Sequence, residues 1–128
     1  MLKKAEIVGL LNEMAFDSDK YWVTSGAAMV IYGIKESTRD IDLGCTTELA
    51  DKLEAEGYKV IRLDDGSRKI VYSSSVEIFE DWIEGEVEFF EGVPIVSVDG
   101  LIKMKEKLGR EKDLADIELI KSTNIYRA

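Results

Sequence analysis

The six residues that begin at Asp40 and end at Cys45 constrain the fold most, because their side chains alternate strictly in character. Successive side chains of a β-strand point to opposite faces, so Ile41, Leu43 and Cys45 share one face. Asp40 and Asp42 share the other. The pattern predicts a strand that covers a core with one face and presents a carboxylate pair on the other.

An acidic-x-acidic triplet is a weak signal by itself. With 26 acidic residues among 128, chance alone supplies about five such triplets. The ordinary interpretation of such a pair is solvated charge on an exposed strand face. The surroundings of Asp40 and Asp42 therefore have to decide between that interpretation and a binding site.

Composition predicts one soluble domain spanning residues 1–128, with 45% hydrophobic and 34% charged residues. No apolar run approaches the roughly 18 residues that a membrane span needs, and the N-terminus lacks a signal-peptide core. The single cysteine, Cys45, excludes an internal disulfide framework and fits a reducing compartment. We therefore expect a cytoplasmic protein.

The chain contains no histidine. This absence removes Cys/His zinc sites and Ser-His or Cys-His catalysis, so chemistry must rest on carboxylates, lysines, hydroxyls or a bound metal. The formal net charge of −9 argues against broad nucleic-acid binding, which needs a basic surface. An anionic ligand must therefore meet local cations or a metal.

Periodicity predicts an α/β (α+β) fold with one mixed sheet and helices packed against it. The predicted N-caps are Thr46 or Thr47 for the third helix and Asp99 for the fourth. The acidic stretch 80–91 gives no firm prediction. Predicted helices cover 2–14, 27–32, about 47–56, 100–108 and 110–122, and predicted strands cover 21–24, 40–45, 58–63, 69–72, 76–79 and 95–98, the fourth and fifth strands as a hairpin.

Two features near the carboxylate pair favour a ligand site. Ser25 and Gly26 form a strand-to-helix turn, which exposes backbone N–H groups and the positive end of a helix to a phosphate. Two carboxylates on one strand face also repel each other, and Mg²⁺ removes that conflict. Mg²⁺ or Mn²⁺ is therefore the predicted cofactor, held by Asp40 and Asp42.

A third carboxylate is expected on a neighbouring strand. Glu77 lies in the predicted strand 76–79 and is our first choice. Asp81 and Glu88 are alternatives that the sequence leaves open. With Glu77 the site would have three metal-ligating acids.

Taken together, residues 23–28, Gly33 and residues 38–43 resemble the nucleotidyltransferase superfamily that includes DNA polymerase β, kanamycin and lincosamide nucleotidyltransferases and abortive-infection-type toxins. In that superfamily a Gly-Gly or Gly-Ser turn precedes an Asp-x-Asp strand, and a third acid follows. Ser25-Gly26 stands at the turn here. The resemblance implies a nucleotidyltransferase fold, a nucleoside triphosphate substrate and catalytic roles for Asp40, Asp42 and Glu77.

The resemblance extends to the C-terminal helices, where five cations and two acids lie between residues 103 and 112. We expect cations here to neutralise the triphosphate, although a solvated helix face explains the same pattern. Arg110, Asp113 and Asp116 match the Arg-x-Lys-Asp-x-x-Asp helix of the toxin-like branch. The predicted nucleotide-binding residues are Ser25, Gly26, Arg39, Lys105, Lys112 and Asp113.

The leading hypothesis is metal-dependent transfer of a nucleoside monophosphate from an NTP to a hydroxyl acceptor: a small molecule, a protein or an RNA end. The runner-up is a catalytically degenerate member of the same fold that binds nucleotide or a protein partner, suggested by the altered turn and the short chain. A structural domain with solvated acids is the third hypothesis. The sequence identifies neither the acceptor nor the preferred base.

Overall fold

A computed structural model describes residues 1–123, which form five helices and nine strands. Within this part of the chain, the helices are too short or too polar to cross a membrane. The helices are α1 (Lys4–Met14), α2 (Ser25–Ile31), α3 (Thr47–Ala55), α4 (Val98–Leu108) and α5 (Glu111–Lys121). The strands are β1 (Leu2–Lys3), β2 (Tyr21–Thr24), β3 (Ser37–Thr38), β4 (Ile41–Cys45), β5 (Lys59–Arg62), β6 (Arg68–Val71), β7 (Val76–Glu80), β8 (Val87–Phe90) and β9 (Val93–Val96).

Seven strands form one mixed sheet in the order β5-β6-β7-β4-β2-β9-β8, and β1 pairs with β3 in a separate two-stranded ribbon. The β4–β7 and β2–β9 pairs are parallel, and the other pairs are antiparallel. At the centre, β2 and β4 run in opposite directions, so the end of β2 lies beside the start of β4. This arrangement brings the turn after β2 next to Asp40 and Asp42.

The core lies against the apolar face of the central strands. Ile41, Leu43 and Cys45 of β4 are fully buried, as are Ile70 and Ile78 of the neighbouring strands. The alternation read from the sequence is therefore the alternation in the structure. Burial of these side chains fixes the register, because a one-residue slip would move the carboxylate of Asp42 into the core.

The opposite face of β4 is packed where it meets β2. Gly44 lies opposite Trp22 in the register, and the indole occupies the space that a Cβ at Gly44 would need. Thr24, opposite Asp42, is buried and donates from its hydroxyl to the sulfur of Met104, at 3.5 Å. Helix α4 therefore packs beside the carboxylate pair.

An ion cluster around the nearly buried Arg68 joins α3 to the hairpin β6–β7. The guanidinium of Arg68 lies 2.8 Å from Asp51, 3.0 Å from Glu54 and 2.6 Å from Glu80. Hydrogen bonds from Arg68 lower the pKa of Glu80 to about 2. Because the Arg68 side chain is only 9% exposed, its charge depends on these partners.

The α+β class, the mixed sheet and the hairpin β6–β7 are confirmed. Thr46 is the cap of α3, because its hydroxyl accepts from the Leu49 N–H at 3.2 Å. The prediction of Asp99 as the cap of α4 was wrong, because Ser97 caps this helix by accepting from the Gly100 N–H. Strand β8 lies in the stretch that gave no firm prediction. The predicted domain end, 124–128, falls outside the described residues.

Candidate functional site

A cavity of about 300 Å³ opens where β2 ends and β4 begins. Its walls come from the β2–α2 turn, the loop before β4, and helices α4 and α5. Five cations and three acids line it together with small hydroxyl residues and glycine. The lining residues are Ser25, Gly26, Lys35, Thr38, Arg39, Asp40, Asp42, Lys105, Arg110, Lys112 and Asp116.

The carboxylate pair has a direct neighbour on the adjacent strand. Asp42 on β4 and Glu77 on β7 are register partners in a parallel pair, so their side chains project from the same face. Asp40 immediately precedes β4 and lies two residues before Asp42. The sheet thus presents Asp40, Asp42 and Glu77 on one side.

Asp42 is the carboxylate that responds most to this crowding. Burial, followed by the negative charges of Glu77 and Asp40, raises its pKa to about 6. Lys105 and Lys69 act in the opposite direction and reduce that rise. A site that disfavours the charged form of a carboxylate in this way gains stability when a cation enters.

The turn that faces the carboxylates is strained. Ser25 has φ of 58°, a left-handed conformation that costs a non-glycine residue on the order of 1 kcal/mol or more. A Cβ at Gly26 would lie 2.8 Å from the hydroxyl oxygen of Thr38. That hydroxyl donates to the carbonyl of Asp40 at 3.2 Å. The small size of Gly26 therefore lets the loop that carries Asp40 approach the turn.

One carboxylate holds two lysines at the cavity. Asp116 on α5 lies 3.0 Å from the ammonium of Lys35 and 3.0 Å from that of Lys105. Lys105 is 5% exposed and also lies 3.7 Å from Asp113. Asp116 thus ties the loop after α2 to both C-terminal helices and fixes two positive charges beside the carboxylate pair.

Arg110 is oriented by Asp113 in the first turn of α5. The guanidinium donates to the Asp113 carboxylate at 2.6 Å and 3.3 Å, and the backbone N–H of Arg110 donates at 3.2 Å. These hydrogen bonds lower the pKa of Asp113, which is fully buried. Asp113 therefore lies behind Arg110, and Arg110 is the member of the pair that reaches the cavity.

Glu77 is engaged by Lys69 on the next strand. The ammonium of Lys69 lies 2.9 Å from the Glu77 carboxylate and 5.9 Å from the centre of the Phe79 ring. Glu77 does not line the cavity described above. Its carboxylate is reached from the same side of the sheet as Asp42, with Lys69 as the cation nearest to it.

The donor set suits a hard divalent cation. Asp40, Asp42 and Glu77 provide only oxygen donors, the ligands that Mg²⁺ and Mn²⁺ prefer. The raised pKa of Asp42 shows that its surroundings favour removal of negative charge. Within residues 1–123, three acidic or thiol side chains do not converge closely enough to form a ready cluster. The residues therefore fit an ion that a phosphate would help to ligate.

The structure brings most of the predicted site residues together. Ser25, Gly26, Arg39, Asp40, Asp42, Lys105 and Lys112 all line one cavity. Glu77 lies beside it, and Asp113 lies behind Arg110. Lys35 and Thr38 also line the cavity, although neither was among the predicted nucleotide-binding residues. The sequence signal for both residues is their place in a run of cationic and hydroxyl residues directly before the Asp-x-Asp strand.

Two comparisons with known proteins gave no match: no family model matches the chain, and no curated relative does. Solved structures do match, at low identity. A Thermotoga maritima protein assigned to the nucleotidyltransferases aligns with a TM-score of 0.62 and 17% identity over 91% of this chain and 93% of that one.

Two antibiotic-modifying enzymes have similar structures. The lincosamide antibiotic adenylyltransferase LnuA, bound to lincomycin, aligns with a TM-score of 0.56 and 18% identity over 91% of this chain and 92% of its own. ANT(2")-Ia, in complex with adenylyl-2"-tobramycin, aligns with a TM-score of 0.54 and 17% identity over 91% of this chain and 84% of its own. The chain described here therefore has the fold of the nucleotidyltransferase superfamily.

Proposed function

We propose that this chain transfers a nucleoside monophosphate from a nucleoside triphosphate to a hydroxyl acceptor, with Mg²⁺ or Mn²⁺. The observation that carries the proposal is the charge of the cavity. Five cations and three acids line it, a local excess of two positive charges in a protein whose net charge is −9. A polyanion is attracted to such a place and repelled by most of the remaining surface.

The division of charge within the cavity fits a triphosphate. Lys35, Lys105 and Arg110 are held by Asp116 and Asp113 at the side formed by the C-terminal helices. Asp40 and Asp42 line the part of the cavity formed by β4 and the loop before it, and these two residues would hold the divalent ion. The hydroxyl of Ser25 and the open backbone at Gly26 complete the phosphate contacts.

The residues at the site have different parts in the proposed transfer. The acceptor hydroxyl oxygen forms a bond to the α-phosphorus, the bond from that phosphorus to the β-phosphate bridging oxygen breaks, and pyrophosphate leaves. Glu77 receives the hydroxyl proton. Lys105 and Arg110 stabilise the negative charge on the departing pyrophosphate. A bound divalent ion, held by Asp40, Asp42 and Glu77, supplies charge neutralisation and increases the acidity of the hydroxyl.

Binding of each NTP, measured by calorimetry with non-hydrolysable ATP, GTP, CTP and UTP analogues, tests the site. We expect binding that requires Mg²⁺ and falls at least tenfold in Asp40→Asn and Asp42→Asn. Asp19→Asn, an exposed turn residue, is the matched control. Binding without metal, or unchanged binding in both variants, would overturn the metal-site assignment.

A second candidate function, nucleotide binding without turnover, is favoured by one observation. Lys69 lies 2.9 Å from Glu77, so the third carboxylate already has a cation. Pyrophosphate release separates the two candidates. Metal-dependent NTP binding with no pyrophosphate in the presence of any hydroxyl acceptor supports the binding protein, and acceptor-dependent release supports the transferase.

A further inference from the structure

A second and larger cavity, of about 660 Å³, lies beyond Glu77 on the sheet. Its apolar wall comes from Leu63, Phe79, Trp82 and Leu108, and the carboxylates of Asp65 and Asp81 lie at its edge. The volume is within the range of small-molecule sites, which combine an apolar wall with a few polar groups. Neither the phosphate contacts nor the metal ligands described above use this cavity.

The aromatic wall is held in place by the fold. The rings of Phe79 and Trp82 meet edge to face, with centroids 4.8 Å apart and planes at 63°. The indole N–H of Trp22 donates to the carbonyl oxygen of Trp82 at 2.9 Å. Trp22 is itself buried against Gly44. A ligand that enters the cavity therefore meets a preformed surface.

The two edge carboxylates accept hydrogen bonds from neighbouring residues. Asp65 accepts from the backbone N–H and the hydroxyl of Ser67, which lower its pKa. Asp81 accepts from the Thr47 hydroxyl at 3.2 Å. These hydrogen-bond donors are neutral. Among residues 1–123, the lining carboxylate that forms an ion pair is Glu80, whose partner is Arg68. The edge of the cavity thus attracts cations.

The larger cavity adjoins the proposed site of transfer. Lys69 contacts both Glu77 and Phe79, which places these two side chains on the same side of β7. On α4, Lys105 lines the smaller cavity and Leu108, three residues later, lines the larger one. Residues three apart on a helix share a face. Helix α4 therefore lines both cavities, and β7 carries both Glu77 and a wall residue of the larger cavity.

We propose that the larger cavity is the acceptor site and that it takes small hydroxyl compounds that carry a positive charge beside an apolar ring or hydrocarbon. This inference rests on the proposed function, and the reaction is the one given there: the acceptor oxygen bonds to the α-phosphorus, pyrophosphate leaves and Glu77 receives the proton. A cation gains from the two carboxylates and from the faces of aromatic rings. An RNA end would be repelled by the same carboxylates.

Three matched alcohols test the charge preference without NTP or metal: 4-(aminomethyl)benzyl alcohol, neutral 1,4-benzenedimethanol and anionic 4-(hydroxymethyl)benzoate. Binding is measured by isothermal titration calorimetry, which can be applied unchanged to the parent and to every variant. We expect the cationic alcohol to bind about fivefold tighter than the neutral one, and the anionic one to bind most weakly. Equal affinities, or a preference for the anion, would overturn the inference.

Variants of the cavity residues test which side chains cause the preference for the cationic alcohol. Asp81→Asn should reduce the advantage of the cationic alcohol severalfold, and Trp82→Leu should weaken all three ligands. Asp81 has φ of 56°, which Asn tolerates, so this variant keeps the local backbone. Glu13→Gln, on the exposed side of α1, is the control and should leave all affinities unchanged. An unchanged cation preference in both Asp81→Asn and Asp65→Asn would contradict the site.

Product analysis with NTP and Mg²⁺ distinguishes failure of the inference from failure of the proposed function. Nucleotidylated cationic alcohol, lost in Trp82→Leu while NTP binding persists, supports both. Transfer to hydroxyl acceptors at a rate that Trp82→Leu does not change removes the acceptor site and leaves the function. Selective cation binding without any product removes the function and the acceptor role together, and leaves a cation-selective cavity.

Discussion

Asp42 and Glu77 are register partners on two parallel strands, so two carboxylates project side by side from one face of the sheet. Burial of the Asp42 carboxylate, followed by its repulsion by Glu77, costs the metal-free chain stability. Asp42→Asn should therefore raise the free energy of unfolding without metal by about 1 kcal/mol at pH 7.5, after allowance for partial solvent exposure. Urea denaturation with and without Mg²⁺ checks this, because the variant should also lose the stabilisation by Mg²⁺. A less stable variant would contradict the prediction.

Metal affinity should depend on pH through Asp42. Its pKa in the folded chain is about 6, above the unfolded value of 3.8, so the metal-free fold loses stability as pH rises from 3.8 to about 6 and loses no more above it. A divalent ion must displace the proton, so affinity should fall about tenfold per pH unit below 6 and level off above it. Mn²⁺ titrations from pH 5 to 8 measure this, and a flat profile would disprove it.

Lys69 should compete with metal for Glu77, given their 2.9 Å ion pair. Lys69→Met removes that cation while keeping a hydrocarbon chain against Phe79. We expect Mn²⁺ affinity to rise about threefold, the size expected from loss of one partly exposed charge. Lys59→Met, on the edge strand β5, is the matched control. A weaker affinity in Lys69→Met would show that Lys69 supports the site.

The left-handed backbone of Ser25 predicts a stability gain from glycine. Ser25→Gly should raise the free energy of unfolding by about 1 kcal/mol, because glycine adopts φ of 58° without strain. Ser25→Ala keeps the strain, and both variants remove the hydroxyl, so a similar drop in NTP affinity in Ser25→Gly and Ser25→Ala identifies a hydroxyl contact. Ser18→Gly, at an exposed turn without positive φ, should be neutral or slightly destabilising.

Removal of Arg68 should destabilise the fold strongly. Arg68→Met leaves the nearly buried carboxylate of Glu80 without its guanidinium partner, which costs about 3–5 kcal/mol for such a pair. In the parent, the pKa of Glu80 is about 2, so this contribution is present above pH 4.5 and is lost as pH falls towards 2. Thermal melts at pH 3 and pH 7 check both statements. Arg62→Met, at the more exposed pair with Glu54, should cost less than about 1 kcal/mol.

Sequence patterns predicted best those helices and strands in which polar and apolar residues repeat at a regular spacing. Strand β4 was readable because burial and charge alternate within it. Strand β8 was not, because Phe89 on this edge strand is 63% exposed, so apolar residues do not mark one face. For the cap of α4, Ser97 and Asp99 are both suitable residue types, and local sequence does not distinguish them.

The assembly of the site was only partly predictable for a different reason. Lys35 meets Asp116 through tertiary packing alone, since they lie far apart in the chain. The same holds for Asp42 and Glu77, whose adjacency depends on the parallel pairing of β4 with β7. Spacing within a segment shows which residues share a face of a strand or helix. The order of strands in the sheet decides which strands, and therefore which side chains, become neighbours.

The position of Lys105 and Asp116 on the last two helices has a consequence for folding. The acidic wall forms from residues close in sequence, whereas most of the cationic wall arrives only when α4 and α5 dock, a step that closes long loops. During synthesis the carboxylates therefore precede their counter-charges. Affinity for triphosphate should consequently report that the whole chain has folded, because a chain stopped after β7 would hold the acids without Lys105, Arg110 and Lys112.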